Sequence, residues 1–365
     1  MDFDEPQFYK VRSYAKRQDR DVIDLVSGIP DWSPPTPLRD ALETFAAAPD
    51  EEYQYPPIEG LEELRAEIAA HHDVSTDAVL VTNGGGNANH LAMAHALRRG
   101  SGSDVVLTDP VYPYYAGRTT MLGGTQVFVP VEDDGHLDPE TVRQAVTDET
   151  ACVMVNSPNN PTGAVYDEET MRELVAIAEA HDAVLVSDEV YARFAHSTSF
   201  TSATEIASAH RIVTGSFSKS LATTGLRVGF AIVPEAHRDE VQTRQMLTNV
   251  GISRPAQFAA LHALRETPAD YYETKRRLIR ERIDDFTSAL DTVGARYTDP
   301  GGAFYVMVRF SDVPGTMDNA YRLIEEAGVA CMPGESFGER MSDWFRFALV
   351  SPRVEEAADR LVEFF

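Results

Sequence analysis

The chain has 365 residues, 43% of them hydrophobic, and a net charge of −26. Nucleic acid and anionic membrane surfaces would repel such a molecule, so neither is an expected partner. Its two cysteines, Cys152 in ACVMV and Cys331 in VACMPG, sit in apolar runs without Cys-x-x-Cys spacing; they read as core residues, not as a disulfide framework or metal site.

The opening MDFDEPQFYK is acidic and lacks the apolar centre of a signal peptide. No apolar run approaches the ~20 residues that span a membrane, so the expected location is the cytoplasm. Through VSGIPDWSPPTP (26–37) the chain is polar and broken by prolines, which reads as an arm and loop. Helices are expected over 37–48 and over LEELRAEIAAHH (61–72), where Leu61, Leu64, Ile68 and Ala69 share a face. From about residue 84, helices alternate with short β-branched runs. Helix 87–99 precedes strand DVVLTD (104–109), helix 114–122 precedes TQVFVP (125–130), and helix 138–147 leads to ACVMVNS (151–157). Helix 167–181 leads to AVLVSDEV (183–190), followed by RIVTGSFS (211–218) and VGFAIV (228–233). Runs of this kind imply an α/β fold with a mostly parallel sheet covered on both faces. After about residue 250 the texture changes: a charged helix over 268–294, then GGAFYVMVRF (301–310), a helix near 316–327, WFRFALV (344–350) and a terminal helix from Arg353. That suggests an arm (1–36), a large domain (37–250) and a smaller α+β domain (251–365) that the arm joins.

Lysine is nearly avoided; apart from Lys10, Lys16 and Lys275 there is only Lys219, in GSFSKSLATTGLRVG (215–229). A desolvated lysine can lose its proton and attack a carbonyl, which a guanidinium effectively cannot. Ligands of such sheets bind outside the carboxyl ends of the strands. There the sequence offers Asn156 with SPNNPTG, Asp188, and Ser216 to Lys219: an amide, an acid and a lysine on adjacent ends. Each has a plainer reading alone. Asp188 could cap a turn, Arg227 and Arg346 could be ion-pair partners, and Tyr112 could be core packing. Gly84-Gly85-Gly86 lacks the spacing of a nucleotide loop. His90 and His95, and His71 and His72, diverge on their helices and do not form a metal site.

Together, SPNNPTG (157–163), SDEVY (187–191) and SFSK-x7-R-x-G (216–229) resemble the signature of class I/II aminotransferases of fold type I, which use pyridoxal 5′-phosphate. VSGIPDWSPP, YPPIEGLEELR, VTNGGGNANH, GGAFY and MPGESFG follow the same pattern in order over almost the whole chain. The resemblance implies a seven-stranded sheet and an amino-group transfer between an L-amino acid and a 2-oxo acid. Lys219 would join the cofactor aldehyde as a Schiff base and then serve as the proton-transfer base. Asp188 would pair with the ring nitrogen, and Tyr191 and Asn160 with the phenolic oxygen. Gly85, Gly86, Ser216, Ser218 and Arg227 would hold the phosphate, with Tyr112 stacked on the ring. Tyr55 would reach the neighbouring subunit's phosphate in a homodimer. Arg346 would clamp the substrate α-carboxylate, beside Gly28 and Asn160.

Three positions depart from the pattern. Gly86 stands where many relatives carry Ser, Thr or Lys, Leu226 replaces an aromatic, and Asn249 sits near where dicarboxylate-specific members place an arginine. These departures weaken an aspartate or glutamate preference and favour a neutral or aromatic side chain. A C–S β-lyase or a decarboxylase of the same fold is the alternative, because the cofactor supplies the electron sink in each. A DNA-binding regulator on this fold fits the charge poorly. The arginine-for-lysine bias on an acidic surface fits a protein kept soluble at high salt.

Overall fold

The computed structural model describes residues 5–100, 102–196 and 200–365; residues 1–4, which begin the acidic opening stretch, lie outside it. The chain opens with helix α1 (Gln7–Lys16) and the short strand β1 (Ile23–Asp24), followed by α2 (Thr36–Phe45) and α3 (Glu62–His71). The alternating region then runs β2 (Val79–Thr82), α4 (Gly84–Arg99), β3 (Asp104–Asp109), α5 (Pro113–Met121), β4 (Thr125–Pro130), α6 (Pro139–Ala145) and β5 (Thr150–Asn156). It continues as α7 (Glu168–Ala180), β6 (Val184–Asp188), β7 (Arg211–Ser216), α8 (Phe217–Ser220) and β8 (Gly229–Ile232). The arm expected to be loop therefore contains a helix, α1. Its buried residue Val11 packs with Val26, Ile324 and Phe337, so tertiary contact orders a segment whose own apolar pattern is weak.

The seven strands β2 to β8 form one sheet in the order β2-β8-β7-β6-β5-β3-β4. It is parallel except at β8, which runs antiparallel to both β2 and β7. Every residue of β5 and β6 is buried, the result of helices covering both faces of an apolar run. Helix α7 shows how the sequence builds that cover. Asp167 caps it by accepting from the Thr170 amide at 2.8 Å, and Met171, Leu174, Val175 and Ala178 bury one stripe.

The rest of the chain comprises α9 (Glu235–Asn249), α10 (Arg254–Glu266), α11 (Ala269–Asp291), β9 (Arg296–Tyr297), β10 (Tyr305–Arg309), α12 (Met317–Arg322), β11 (Val329–Ala330), β12 (Met332–Pro333), β13 (Phe345–Ala348) and α13 (Val354–Phe364). Strands β12-β13-β10-β9 make an antiparallel sheet, and β1 pairs with β11 in parallel. Ile23 and Leu25 of the arm share a core with Ile279, Ile283, Phe286 and Phe347. Helix α10, placed by sequence reasoning in the C-terminal domain, instead buries Ala256, Ala259, Ala260 and Ala263 in the core that holds Leu38 of α2 and Leu64 of α3. The charged segment expected over 268–294 is α11, with Ile279, Ile283, Phe286 and Leu290 as its buried seam.

Candidate active site

Strand register brings the site together. Asn156 at the end of β5 lies beside Asp188 at the end of β6, Asp188 lies beside Thr214 of β7, and Ser216 lies beside Gly229 of β8. Above these ends opens a cavity of 630 Å³. Gly28, Gly85, Gly86, Tyr112, Asn160, Asp188, Tyr191, Ser216, Ser218, Lys219, Arg227 and Arg346 all line it. Of the residues assigned to cofactor or substrate from sequence, Tyr55 alone stays outside, with 82% of its surface exposed.

Asp188 is buried and faces the cavity from β6. Its Oδ2 accepts from Asn89 Nδ2 and from the Tyr115 hydroxyl, each at 2.5 Å, and its Oδ1 accepts from the Val190 amide at 3.1 Å. The last bond is the turn-capping role considered above, so Asp188 performs it and faces the cavity as well. Burial pushes its carboxyl above the ordinary range, and these three donors oppose that rise. Asn89 is itself oriented by the Thr214 hydroxyl, which donates to its Oδ1 at 2.5 Å. Next door, Glu189 points away, bound to Ser187, Ser202 and the Ala203 amide, with burial lifting its carboxyl to about 7.

Lys219 sits in the short helix after β7 and donates from Nζ to the Gly28 carbonyl at 2.6 Å. Burial lowers its pKa to about 8, helped by the positive charges of Arg346 and Arg227 and opposed by Asp188. Its Nζ lies 5.9 Å from the ring centres of both Tyr191 and Phe304. The Tyr191 and Tyr305 hydroxyls are 2.9 Å apart, and burial holds the Tyr191 phenol neutral well past its usual range. Position 28 must be glycine, because a Cβ there would fall on the Tyr305 hydroxyl.

Arg346 is 4% exposed, on the central strand pair β10–β13. Its Nη1 donates to Asn160 Oδ1 at 3.0 Å and its Nη2 to the Val26 carbonyl at 2.5 Å, leaving Nε buried without a partner. Asn160 is set in turn by Asn156, whose Oδ1 accepts from the Asn160 amide at 2.8 Å. Neither Arg346 nor Arg227 lies against a carboxylate among the described residues. The plain ion-pair reading of both therefore gives way to one in which they await an anion.

The other end of the cavity is an anion cradle. Ser216 accepts from the Ser218 amide at 3.1 Å and donates to the Ser218 hydroxyl at 2.9 Å. Arg227 donates to the carbonyls of Thr224 at 3.0 Å and Asn83 at 3.4 Å, which leaves its fork turned to the first turn of α4. A Cβ at Gly84 would stand 2.5 Å from Arg227 Nη2, so only glycine lets the helix amides and the guanidinium converge. The Arg227 backbone has φ of 57°, the left-handed region that disfavours side chains. A buried carboxylate without a cationic partner, a lysine of depressed pKa and a cradle of hydroxyls, amides and guanidinium line one cavity. The donor set fits pyridoxal phosphate, whose ring nitrogen, aldehyde and phosphate require these three kinds of group.

Sequence reasoning passed over Asn89, Tyr115, Tyr305 and Arg118, which also line the cavity. Helical spacing carried a signal for two of them. Asn89 follows Gly85 by four residues on α4, and Tyr115 follows Tyr112 by three on α5. Asn249, in contrast, donates to Asn87 and Gln245 and does not line the cavity.

Residues 20–365 match the model of the family described as aminotransferase class I and II. An aspartate aminotransferase of Thermotoga maritima is 34% identical over 367 residues, covering 97% of this chain and 94% of that protein. A probable aspartate/prephenate aminotransferase of Thermus aquaticus is 32% identical over 359 residues, covering 95% and 92%. A double mutant of Thermus thermophilus aspartate aminotransferase superposes with a TM-score of 0.92 at 29% identity, covering 100% of this chain and 97% of the other. The same organism's enzyme with maleate gives 0.91 at 29% identity, covering 99% and 97%.

Proposed function

The chain belongs to the class I and II aminotransferases and is a pyridoxal-phosphate-dependent transaminase acting on an amino acid and a 2-oxo acid, and we propose that Lys219 is the centre of its chemistry. Pyridoxal phosphate supplies an aldehyde that takes an amine and a ring that accepts the electron pair left when a substrate Cα–H bond breaks. Asp188 would pair with the ring nitrogen, and its three donors favour the charged form against the upward push of burial. Lys219 would be the covalent attachment point, and its neutral Nζ would be the base that takes and returns the substrate Cα proton. Arg227, Ser216, Ser218 and the amides of Gly85 and Gly86 would hold the phosphate. Tyr112 would cover the ring, while Tyr191 and Asn160 would hydrogen-bond its phenolic oxygen. Arg346 receives the α-carboxylate and, with Asn160 and the Gly28 backbone, fixes the Cα–H bond toward Lys219.

One observation carries this reading: a lysine with its pKa near 8 lies in the same cavity as an acid without a cation and arginines without anions. Borohydride reduction of the holoenzyme followed by peptide mapping tests it. The label is expected on Lys219, and Lys219→Ala is expected to lose turnover; a label on another residue overturns the assignment.

A homodimer with Tyr55 completing the neighbouring phosphate site is also proposed. Its support is the exposure of the large side chains Tyr53, Tyr55 and Val250, with Gly251 lying close to Pro56. The chain is proposed to divide into a large unit from α2 to α10 and a smaller one formed by the arm and α11 to α13, following the separate cores. Among the described residues no helix is long and apolar enough to cross a membrane. Cytoplasmic location and a salt-adapted surface are proposed from composition, chiefly the charge of −26.

A further inference from the structure

Arg118 belongs to α5 and lines the active-site cavity together with Gly86 and Tyr114. Its Nη1 is buried and has no hydrogen-bond partner. Many of the chain's other arginines sit on carboxylates, as at Arg99, Arg282 and Arg353. With 58 acidic residues, an ion-pair partner for Arg118 was easily supplied, yet none is present among the described residues. A guanidinium nitrogen buried without a hydrogen-bond partner is unfavourable, so one left this way at the wall of a cavity marks a place for an incoming acceptor, and an anion suits its charge.

Position 86 is coupled to it. A Cβ on Gly86 would stand 3.0 Å from Arg118 Nη2, so the guanidinium occupies the space into which a side chain at 86 would grow. The other anion sites of the cavity already have their own donors. The phosphate has Arg227, Ser216, Ser218 and the α4 amides, and the α-carboxylate has Arg346. Resting on the transaminase site proposed above, we infer that Arg118 makes this enzyme selective for dicarboxylic substrates, receiving the distal carboxylate of an amino acid or 2-oxo acid whose α-carboxylate lies on Arg346. The expectation of a neutral or aromatic substrate was drawn from positions 86, 226 and 249. The positive charge missing from Gly86 is supplied from the neighbouring helix α5 by Arg118.

The test uses holoenzyme in native, Arg118→Met and Arg118→Met/Gly86→Lys forms. Maleate, a dicarboxylate without an amine, is titrated calorimetrically, and half-reactions with aspartate and alanine are followed by cofactor absorbance. Arg118→Met is expected to weaken maleate roughly 10- to 100-fold, the range for a hydrogen bond to a charged group. The ratio of kcat/KM for aspartate over alanine should fall by the same order, and lysine at 86 should recover part of both. Unaltered maleate affinity overturns the inference. So do equal losses on aspartate and alanine accompanied by weaker cofactor retention, which would assign Arg118 to the phosphate. Arg118→Lys, keeping charge but losing the bidentate fork, is measured alongside in case methionine prevents folding. It is expected to weaken maleate without weakening cofactor retention, and the reverse pattern overturns the inference. If no amino acid converts the native cofactor to its amine form, the transaminase site itself fails. Native enzyme that reacts as readily with alanine as with aspartate defeats only the dicarboxylate inference.

Discussion

Lys219 Nζ and the Gly28 carbonyl oxygen are joined by a 2.6 Å hydrogen bond across 191 positions of sequence. The bond draws the N-terminal arm onto the end of β7 and gives the amine one fixed direction. A residue with a side chain could not hold this place, because the Tyr305 hydroxyl fills the space where its Cβ would stand.

Loading of the cofactor should follow the ionisation of Lys219. Its pKa is lowered to about 8 by burial and by Arg346 and Arg227. The amine is protonated and inert below that value and free above it. Uptake of pyridoxal phosphate by apoprotein, followed by absorbance, is expected to quicken with pH and level off above about 8. Arg346→Gln removes one of the depressing charges and should move the midpoint to higher pH. A native midpoint near the ordinary lysine value of ~10.4 would contradict this account.

Asn89 should govern the acid limb of activity. It donates to Asp188 and opposes the upward push of burial on that carboxyl. In Asn89→Ala the Asp188 pKa rises further, so more of the acid is protonated at a given pH and the limb of kcat shifts to higher pH. Asp188→Asn, which cannot carry the charge at any pH, should lose roughly 10²- to 10³-fold in kcat. A pH profile of Asn89→Ala that superimposes on the native one would show that the amide has no such role.

Arg346→Ala should raise KM for carboxylate substrates roughly 10- to 100-fold, the scale of a lost charge-assisted hydrogen bond. Asn160 loses a partner at 3.0 Å in the same variant, so a smaller fall in kcat is expected beside the larger change in KM. Steady-state kinetics with aspartate separates the two, and an unmoved KM removes Arg346 from substrate binding.

Salt should stabilise the fold. A net charge of −26 repels itself, and the screening length shrinks from about 10 Å at 0.1 M to about 3 Å at 1 M ionic strength. Tm measured by calorimetry is expected to climb between those concentrations. A Tm that is highest in low salt would refute the salt-adapted reading.

The sheet was readable because strands such as TACVMVN and VLVSD are unbroken apolar runs that end in a polar residue, and those ends are where the chemistry lies. Helices α1 and α9 were not readable for a related reason. Helix α1 buries only Val11, and α9 turns His237, Val241 and Gln245 inward, so its buried face is largely polar and shows no hydrophobic period. Strand β2 is four residues long, too short for its period to stand out beside the glycine turn that follows. The motifs located Lys219, Asp188 and Asn160, but not the residues that act through shape. Arg118 lies in PYYAGRTTM, a stretch without a motif, and its meaning depends on the side chain missing from Gly86 in another helix.

The positive φ of Arg227 has a consequence for the evolution and engineering of this chain. The left-handed turn costs a residue with a side chain about 1–2 kcal/mol, and the apoprotein bears that tension before any guest arrives. Glycine at 227 would relax the turn and make the empty fold sturdier, while removing the guanidinium from the phosphate cradle. Ruggedness and grip are thus rival demands at a single position. A programme that ranks variants of this protein by melting temperature alone would select glycine there and discard the enzyme.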